Sequence, residues 1–412
     1  MLTFPKRLFS SQSELFSEYS PIRVYVKRKF STMKLRFVAV GAGKEFAEMP
    51  TFQTLFFFIL LPPKMLESAF SLHKKEFINN LSTVLLHAVL GTAINFLLVG
   101  GCLCLANDYR PKYFPGYNTS SAEIFLFSSL ISAVEPDSVL NIFESVGVSP
   151  QLHYLVKGES IINVGVSFVF YSMTDSFTKI EANGDTITSV NIVLGILSFF
   201  TISLGGLIIG MLLGIFSSWM SKHTDDKMHM VEPMVIFLSD YLAYLLAEML
   251  GWSGVISLFG CALMQAQYGF KNLSDNALTF IQTGVGIAAS TSDSIIFLYL
   301  GVQLSSSSSS SFDWWFIIMS TVVCFFVRFI AVYLVSLITK DGDGDDDWRS
   351  RVVMSYAGIR GAVSFALASL HMDQMEEHYS KLGESGDSAA MLASTTQILI
   401  LSTTFIQGTT IR

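Results

Sequence analysis

The stretch Gly158 to Tyr171, GESIINVGVSFVFY, puts a carboxylate, Glu159, at the head of a segment that is otherwise apolar and runs at membrane length from 153 to 173. A charge at the centre of a membrane helix costs about 2.5 to 3.5 kcal/mol on insertion scales, so such residues mark ion pathways or paired charges. The rest of the chain has the same character. Its 412 residues are 51% hydrophobic and 14% charged, with mean hydropathy +0.51, whereas a soluble domain is typically about 25% charged. An all-α polytopic membrane protein follows, because a helix satisfies its own backbone in lipid.

Outward from that segment, apolar runs of membrane-spanning length, about 20 residues, alternate with polar or Gly/Pro/Ser loops. Eleven spans are expected, at 52 to 70, 82 to 104, 121 to 143, 153 to 173, 187 to 217, 232 to 250, 252 to 268, 276 to 303, 313 to 339, 351 to 371 and 389 to 410. Basic residues favour cytoplasmic loops. A cytoplasmic C-terminus puts Lys74, Lys75, Lys157, Lys222, Lys227, Lys271, Lys340, Arg349, Arg351 and Arg412 inside, and leaves only Arg110, Lys112, Lys179 and Lys381 outside. The sequons at Asn80 and Asn272 then face the cytoplasm, and the one at Asn118 faces out. The basic residues Arg7, Lys27, Arg28 and Lys29 contradict this orientation, so the first 50 residues are expected either to follow missing spans or not to be the natural start. The serine run Ser305 to Ser311 reads as a flexible extracellular loop.

Net charge −7 argues against a nucleic-acid partner, and the acids responsible cluster at Asp341 to Asp347 and Asp373 to Asp387 in loops. Cys102, Cys104, Cys261 and Cys324 all lie in apolar runs without a metal or disulfide spacing. The run from Asp341 is not a calcium loop, since Asp346 stands where the turn needs Gly and Val352 where a bidentate Glu is needed. With no nucleophile, phosphate loop or ligand cluster, an enzyme is not expected.

Three places carry chemistry. In the third span, Glu135-Pro136-Asp137 breaks the helix, because Pro136 lacks a backbone donor and clashes with the preceding turn. An acid beside a mid-membrane break offers carbonyls and half-helix dipoles to an ion; the plainer alternative is a kink with Glu135 on a water-filled vestibule. In the tenth span, Gly358 and Gly361 flank Arg360 within YAGIRGAVSF, where close backbone approach is allowed and the guanidinium offsets negative half-helix ends; small-residue packing with a paired Arg is the alternative. Arg328 in the ninth span needs a buried partner, for which Glu159 is the candidate. Glu248, Asp240 and Asp293 are further acids at depth, better read as structural hydrogen bonds or vestibule walls.

Taken in order, LLPPKMLESAF (Leu60 to Phe70), ISAVEPDSVL (Ile131 to Leu140), GESIINVGVSFVFY, YLAYLLAEM (Tyr241 to Met249), DSIIFLYLGV (Asp293 to Val302), YAGIRGAVSFALA (Tyr356 to Ala368) and FIQGTTIR (Phe405 to Arg412) resemble the animal Na+/H+ exchanger family from about residue 51 to the end. The last two motifs look more like plasma-membrane members than organellar ones. The resemblance implies a thirteen-span fold of inverted repeats with two crossing discontinuous helices, here the third and tenth spans. The chain would then be an exchanger transmembrane domain over 51–412, truncated at both ends, behind a basic segment 1–50. It also implies roles. Glu135 matches the Asp of the family's Asp-Pro break, Glu159 a buried Glu paired with an Arg, Arg328 that Arg, and Asn163 the Asn of an Asn-Asp pair. Val164 falls on the Asp of that pair, the family's ion-binding carboxylate.

Exchange needs a carboxylate that takes a proton or Na+ but not both, with oxygen ligands completing a hard-cation site. The expected ligands are Glu135, Asn163 and Ser160 beside Pro136, with Val164 in the lost acid's place. Na+ and H+ as substrates, membrane lipid and a second copy in a homodimer are the implied partners, and no resident cofactor or metal is implied. The reading from residues and resemblance together is an exchanger whose transport is weak or absent. A non-transporting scaffold or sensor with the exchanger fold, and a cation channel, are the other classes.

Overall fold

The computed structural model describes residues 52–72, 77, 80–110, 119–136, 139–140, 142–143, 149–182, 186–224, 231–306, 312–339, 347–382 and 387–410. The basic segment 1–50, the sequon at Asn118, the serines at 307–311 and the acids at 341–346 lie outside them. Regular structure among the described residues is helical throughout: α1 (Leu61–Ser71), α2 (Thr92–Asp108), α3 (Ser121–Ile131), α4 (Pro150–Ala182), α5 (Ser189–Lys222), α6 (Val231–Met249), α7 (Gly254–Met264), α8 (Asp275–Ser306), α9 (Trp314–Thr339), α10 (Asp347–Tyr356), α11 (Ala362–Leu382) and α12 (Asp387–Ser402). Wider π turns extend four of these: Phe56–Leu60 leads into α1, Leu86–Gly91 into α2, Gln265–Gly269 follows α7 and Thr403–Gln407 follows α12.

With α3 continued beyond its break, and α10 and α11 taken as two halves of one span, the described helices form the eleven spans read from the sequence. Five stretches, Leu81–Asp108, Ser189–Lys222, Asp275–Ser305, Trp314–Thr339 and Ser388–Thr410, are long and apolar enough to cross a membrane unbroken. Pro62 and Pro63 follow the π turn Phe56–Leu60 without a gap in the helix, so each missing N–H removes a helical hydrogen bond, and the wider turn stands just before them. Local chemistry sets the ends. Ser120 and Glu123 open α3 with a reciprocal capping box, Ser120 Oγ accepting from Glu123 N–H at 3.2 Å and Glu123 Oε2 from Ser120 N–H at 3.0 Å.

Small residues set the closest helix packing. Gly206, Gly210 and Gly214 recur every fourth residue on α5 and let α7 approach backbone to backbone; a Cβ on Gly206 would stand 2.5 Å from Ser253 O and one on Gly214 2.6 Å from Cys261 O. The opposite face of α5, with Phe200, Leu204, Ile208 and Leu212, is exposed, as expected of a helix that meets lipid.

The third and tenth spans are broken and cross. After α3, residues 133–136 leave the helix, and the Val139 and Leu140 N–H groups both donate to Pro136 O at 2.9 Å as the chain turns again. Between α10 and α11, residues 358–361 leave the helix, and Ile359 N–H donates to Ala357 O at 2.8 Å as the chain turns. Glu135 N–H donates to Ile359 O at 2.9 Å, and Ser364 Oγ to Leu130 O at 2.7 Å, so each break supplies partners for the other's freed backbone.

Candidate functional site

Glu135 sits in the crossing. Its Oε1 accepts the Val363 N–H at 2.7 Å. Val363 is the second residue of α11, where N–H groups lack helical partners and the helix dipole is positive. The other oxygen, Oε2, lies 2.8 Å from Lys64 Nζ, and the same ammonium lies 2.9 Å from Asp293 Oδ1. Lys64 comes from α1 and Asp293 from α8, two helices that pack against each other. The Lys64 and Glu135 side chains are only 8% and 4% exposed, so salt screens their interaction little; Asp293, at 34%, is the wetter end.

The glycine before α11 makes this fit possible. A Cβ on Gly361 would stand 2.7 Å from Glu135 Cδ and 2.8 Å from its Oε2. The carboxylate therefore lies directly against backbone, where a side chain would displace it.

α4 runs past the other side of the break. Val134 N–H donates to Asn163 Oδ1 and Val134 O accepts from Ser160 Oγ, each at 3.2 Å, so two α4 side chains hold backbone that lies outside the helix at the break. Asn163 Nδ2 is buried and has no partner among the described residues. Val164 follows Ser160 by one turn and so shares its helix face. It is 1% exposed and belongs to the main apolar core, a methyl surface where the resemblance leads one to expect a carboxylate.

Two arginines flank the crossing. Arg328 on α9 grips Glu159 with both prongs, Nη1 to Oε1 at 2.7 Å and Nη2 to Oε2 at 2.9 Å. Arg360, in the second break, donates its N–H to Thr403 Oγ1 at 3.3 Å and points Nη1 at Ala133 O, 3.4 Å away, at the end of the first half-helix. That places positive charge where the half-helix dipole is negative. Arg360 also lies within electrostatic reach of Arg328 and Glu159.

The structure thus brings Glu135, Pro136, Asn163, Ser160 and Val164 to one crossing, with Glu159, Arg328 and Arg360 around it, and Asp293 joins through Lys64. The other two acids are elsewhere. Asp240 is fully buried on α6 and, with the Gln265 amide turned to suit its neighbours, both its oxygens accept from Gln265, at 3.1 and 2.9 Å. Glu248 accepts the Gly254 N–H at 3.2 Å and so closes the turn into α7. Sequence reasoning missed Lys64. The rule that flagged Arg328, a cation inside an apolar span, applies equally to Lys64.

A bundle of helices in which two broken spans cross over a buried carboxylate is the fold of a membrane antiporter. It is similar, with TM-score 0.68 at 17% identity over 88% of this chain and 86% of the other, to the sodium proton antiporter MjNhaP1 from Methanocaldococcus jannaschii. The family described as "Sodium/hydrogen exchanger, transmembrane" matches residues 37–412, and the chain belongs to that family. Among its relatives, Na(+)/H(+) exchanger protein 7 of Caenorhabditis elegans is 36% identical over 91% of this chain, and sodium/hydrogen exchanger 3 of Homo sapiens 32% identical over 90%. The chain spans less than half the length of each, 46% and 43%.

Proposed function

We propose that residues 51–412 form the transmembrane domain of a secondary transporter that exchanges Na+ for H+, and that Val164 weakens or abolishes transport. The observation that carries this reading is the placement of Glu135, a buried carboxylate held between the two breaks with oxygen-bearing Ser160 and Asn163 beside it. The printed names of the relatives, sodium/hydrogen exchangers, support Na+ and H+ as the substrates.

In this mechanism the carboxylate at the crossing carries either a proton or Na+. Rocking of one helix bundle against the other exposes it to alternate sides. Glu159, Arg328 and Arg360 hold the half-helices in register. With a valine at 164, Glu135 has to serve as the ion's carboxylate alone, and both its oxygens already have partners in Val363 N–H and Lys64. The working unit is a homodimer in membrane lipid, and the plasma membrane is its location on the strength of the last two motifs.

Cells without exchangers of their own, acid-loaded and followed for Na+-dependent pH recovery, test the reading. Recovery at the rate of an ordinary exchanger would remove the impairment, and no recovery in either the natural chain or a well-expressed Val164→Asp variant would remove exchange itself. The engagement of both Glu135 oxygens also favours a second reading, a non-transporting scaffold with this fold; co-purification with an active relative and no flux of its own would support it.

A further inference from the structure

We infer that Lys64 is a specificity-determining residue of this site, a tethered cation that occupies Glu135 in competition with the transported Na+. The inference rests on the proposed exchange reading and deepens it.

The geometry is that of a ligand and its site. Glu135 Oε1 is committed to the Val363 N–H, which leaves Oε2 to meet a cation, and Lys64 Nζ stands 2.8 Å from it. An ammonium carries the same unit charge as an alkali ion, and next to a buried carboxylate the two exclude each other by like charge. Lys64 is not placed there by default. It interrupts an apolar helix and is buried, 6% exposed, rather than reaching for a membrane surface.

Asp293 makes the competition workable. The ammonium already lies 2.9 Å from Asp293 Oδ1, so when Na+ takes Glu135 Oε2 the displaced lysine keeps a carboxylate partner. Lys64 then swings between two acids, and the protein always has a positive charge for Glu135, either its own or the solution's. Because Val164 contributes no second carboxylate, Na+ has to displace Lys64 to be held.

Equilibrium binding of radiolabelled Na+ to the purified full chain in detergent tests this without requiring turnover. Lys64→Gln is expected to bind Na+ at least about tenfold more tightly than the natural chain, Lys64→Arg to keep the weak binding, and Asp293→Asn to weaken it further. If Lys64→Gln is unstable because it leaves Glu135 unpaired, Na+ and not choline is expected to restore its melting temperature, which supports the inference equally. A folded Lys64→Gln that binds no more tightly, or an unstable one that Na+ does not rescue, overturns it. Val164→Asp separates the two levels of the account. If that variant binds Na+ while Lys64→Gln gains nothing, the tethered-cation inference fails and the exchange reading stands; if no variant binds Na+, the exchange reading fails.

Discussion

Separating Glu159 from Arg328 is the sharpest stability test the bundle offers. The pair is bidentate at 2.7 and 2.9 Å, with side chains 3% and 5% exposed, so neither charge has water to fall back on. Removing one partner of such a pair costs about 3–5 kcal/mol, mostly from the charge left behind, whereas replacing both with apolar groups of similar volume is often neutral or stabilising. Arg328→Met leaves Glu159 facing Met, and Glu159→Leu takes from Arg328 its bidentate partner while Arg360 stays within electrostatic reach of it. Each single variant is expected to melt well below the natural chain in detergent, Glu159→Leu the lower. The double variant, carrying neither charge from this pair, is expected to recover most of the loss, a coupling of at least about 2 kcal/mol on the scale of contacting residues. Melting temperatures of the four proteins, read by intrinsic fluorescence, close the cycle. A double variant as unstable as the sum of its parts would refute the pair as the source of the loss.

Three other outcomes follow from the geometry. Gly361→Ala sets a methyl group 2.7 Å from Glu135 Cδ, and overpacking of this kind costs about 1–3 kcal/mol, so an unchanged melting temperature would contradict the contact. Gly210→Leu on α5 is expected to part α5 from α7 and to abolish folded expression, because its Cβ falls on the Ser257 carbonyl; normal yield and normal size-exclusion behaviour would refute that packing. Glu248→Ala removes the acceptor of the Gly254 N–H and is expected to cost about 1 kcal/mol of stability, as lost caps do, with Na+ binding unchanged, which direct binding measurements check.

Much of this was legible in the chain because lipid simplifies the problem. Each span had to be an apolar run of about 20 residues, and a break had to come from residues that cannot continue a helix, so Pro136 and the Gly358-Arg360-Gly361 segment stood out before any packing was known. The pairing of Arg328 with Glu159 was readable for a similar reason, since a cation at depth requires an acid and few are available. Lys64 was less legible. A cation inside the span 52–70 calls for an acid just as Arg328 does, but only the packing of α1 on α8 brings it to Glu135 and Asp293. The Val363 N–H is a backbone group whose role exists only once the two breaks cross. Asp240 shows the converse, an acid at depth whose partner, Gln265, is an uncharged residue 25 positions away with no periodic signal linking them.

The central claim is that an exchanger site is present and that residue 164 limits it. Purified natural chain and Val164→Asp, reconstituted at equal density into lipid vesicles with an acidic interior, can be compared by initial Na+ uptake. The account predicts at least about tenfold faster, pH-gradient-dependent uptake by Val164→Asp, equivalent to about 1.4 kcal/mol of restored transition-state stabilisation. Equal uptake by the two proteins would contradict it.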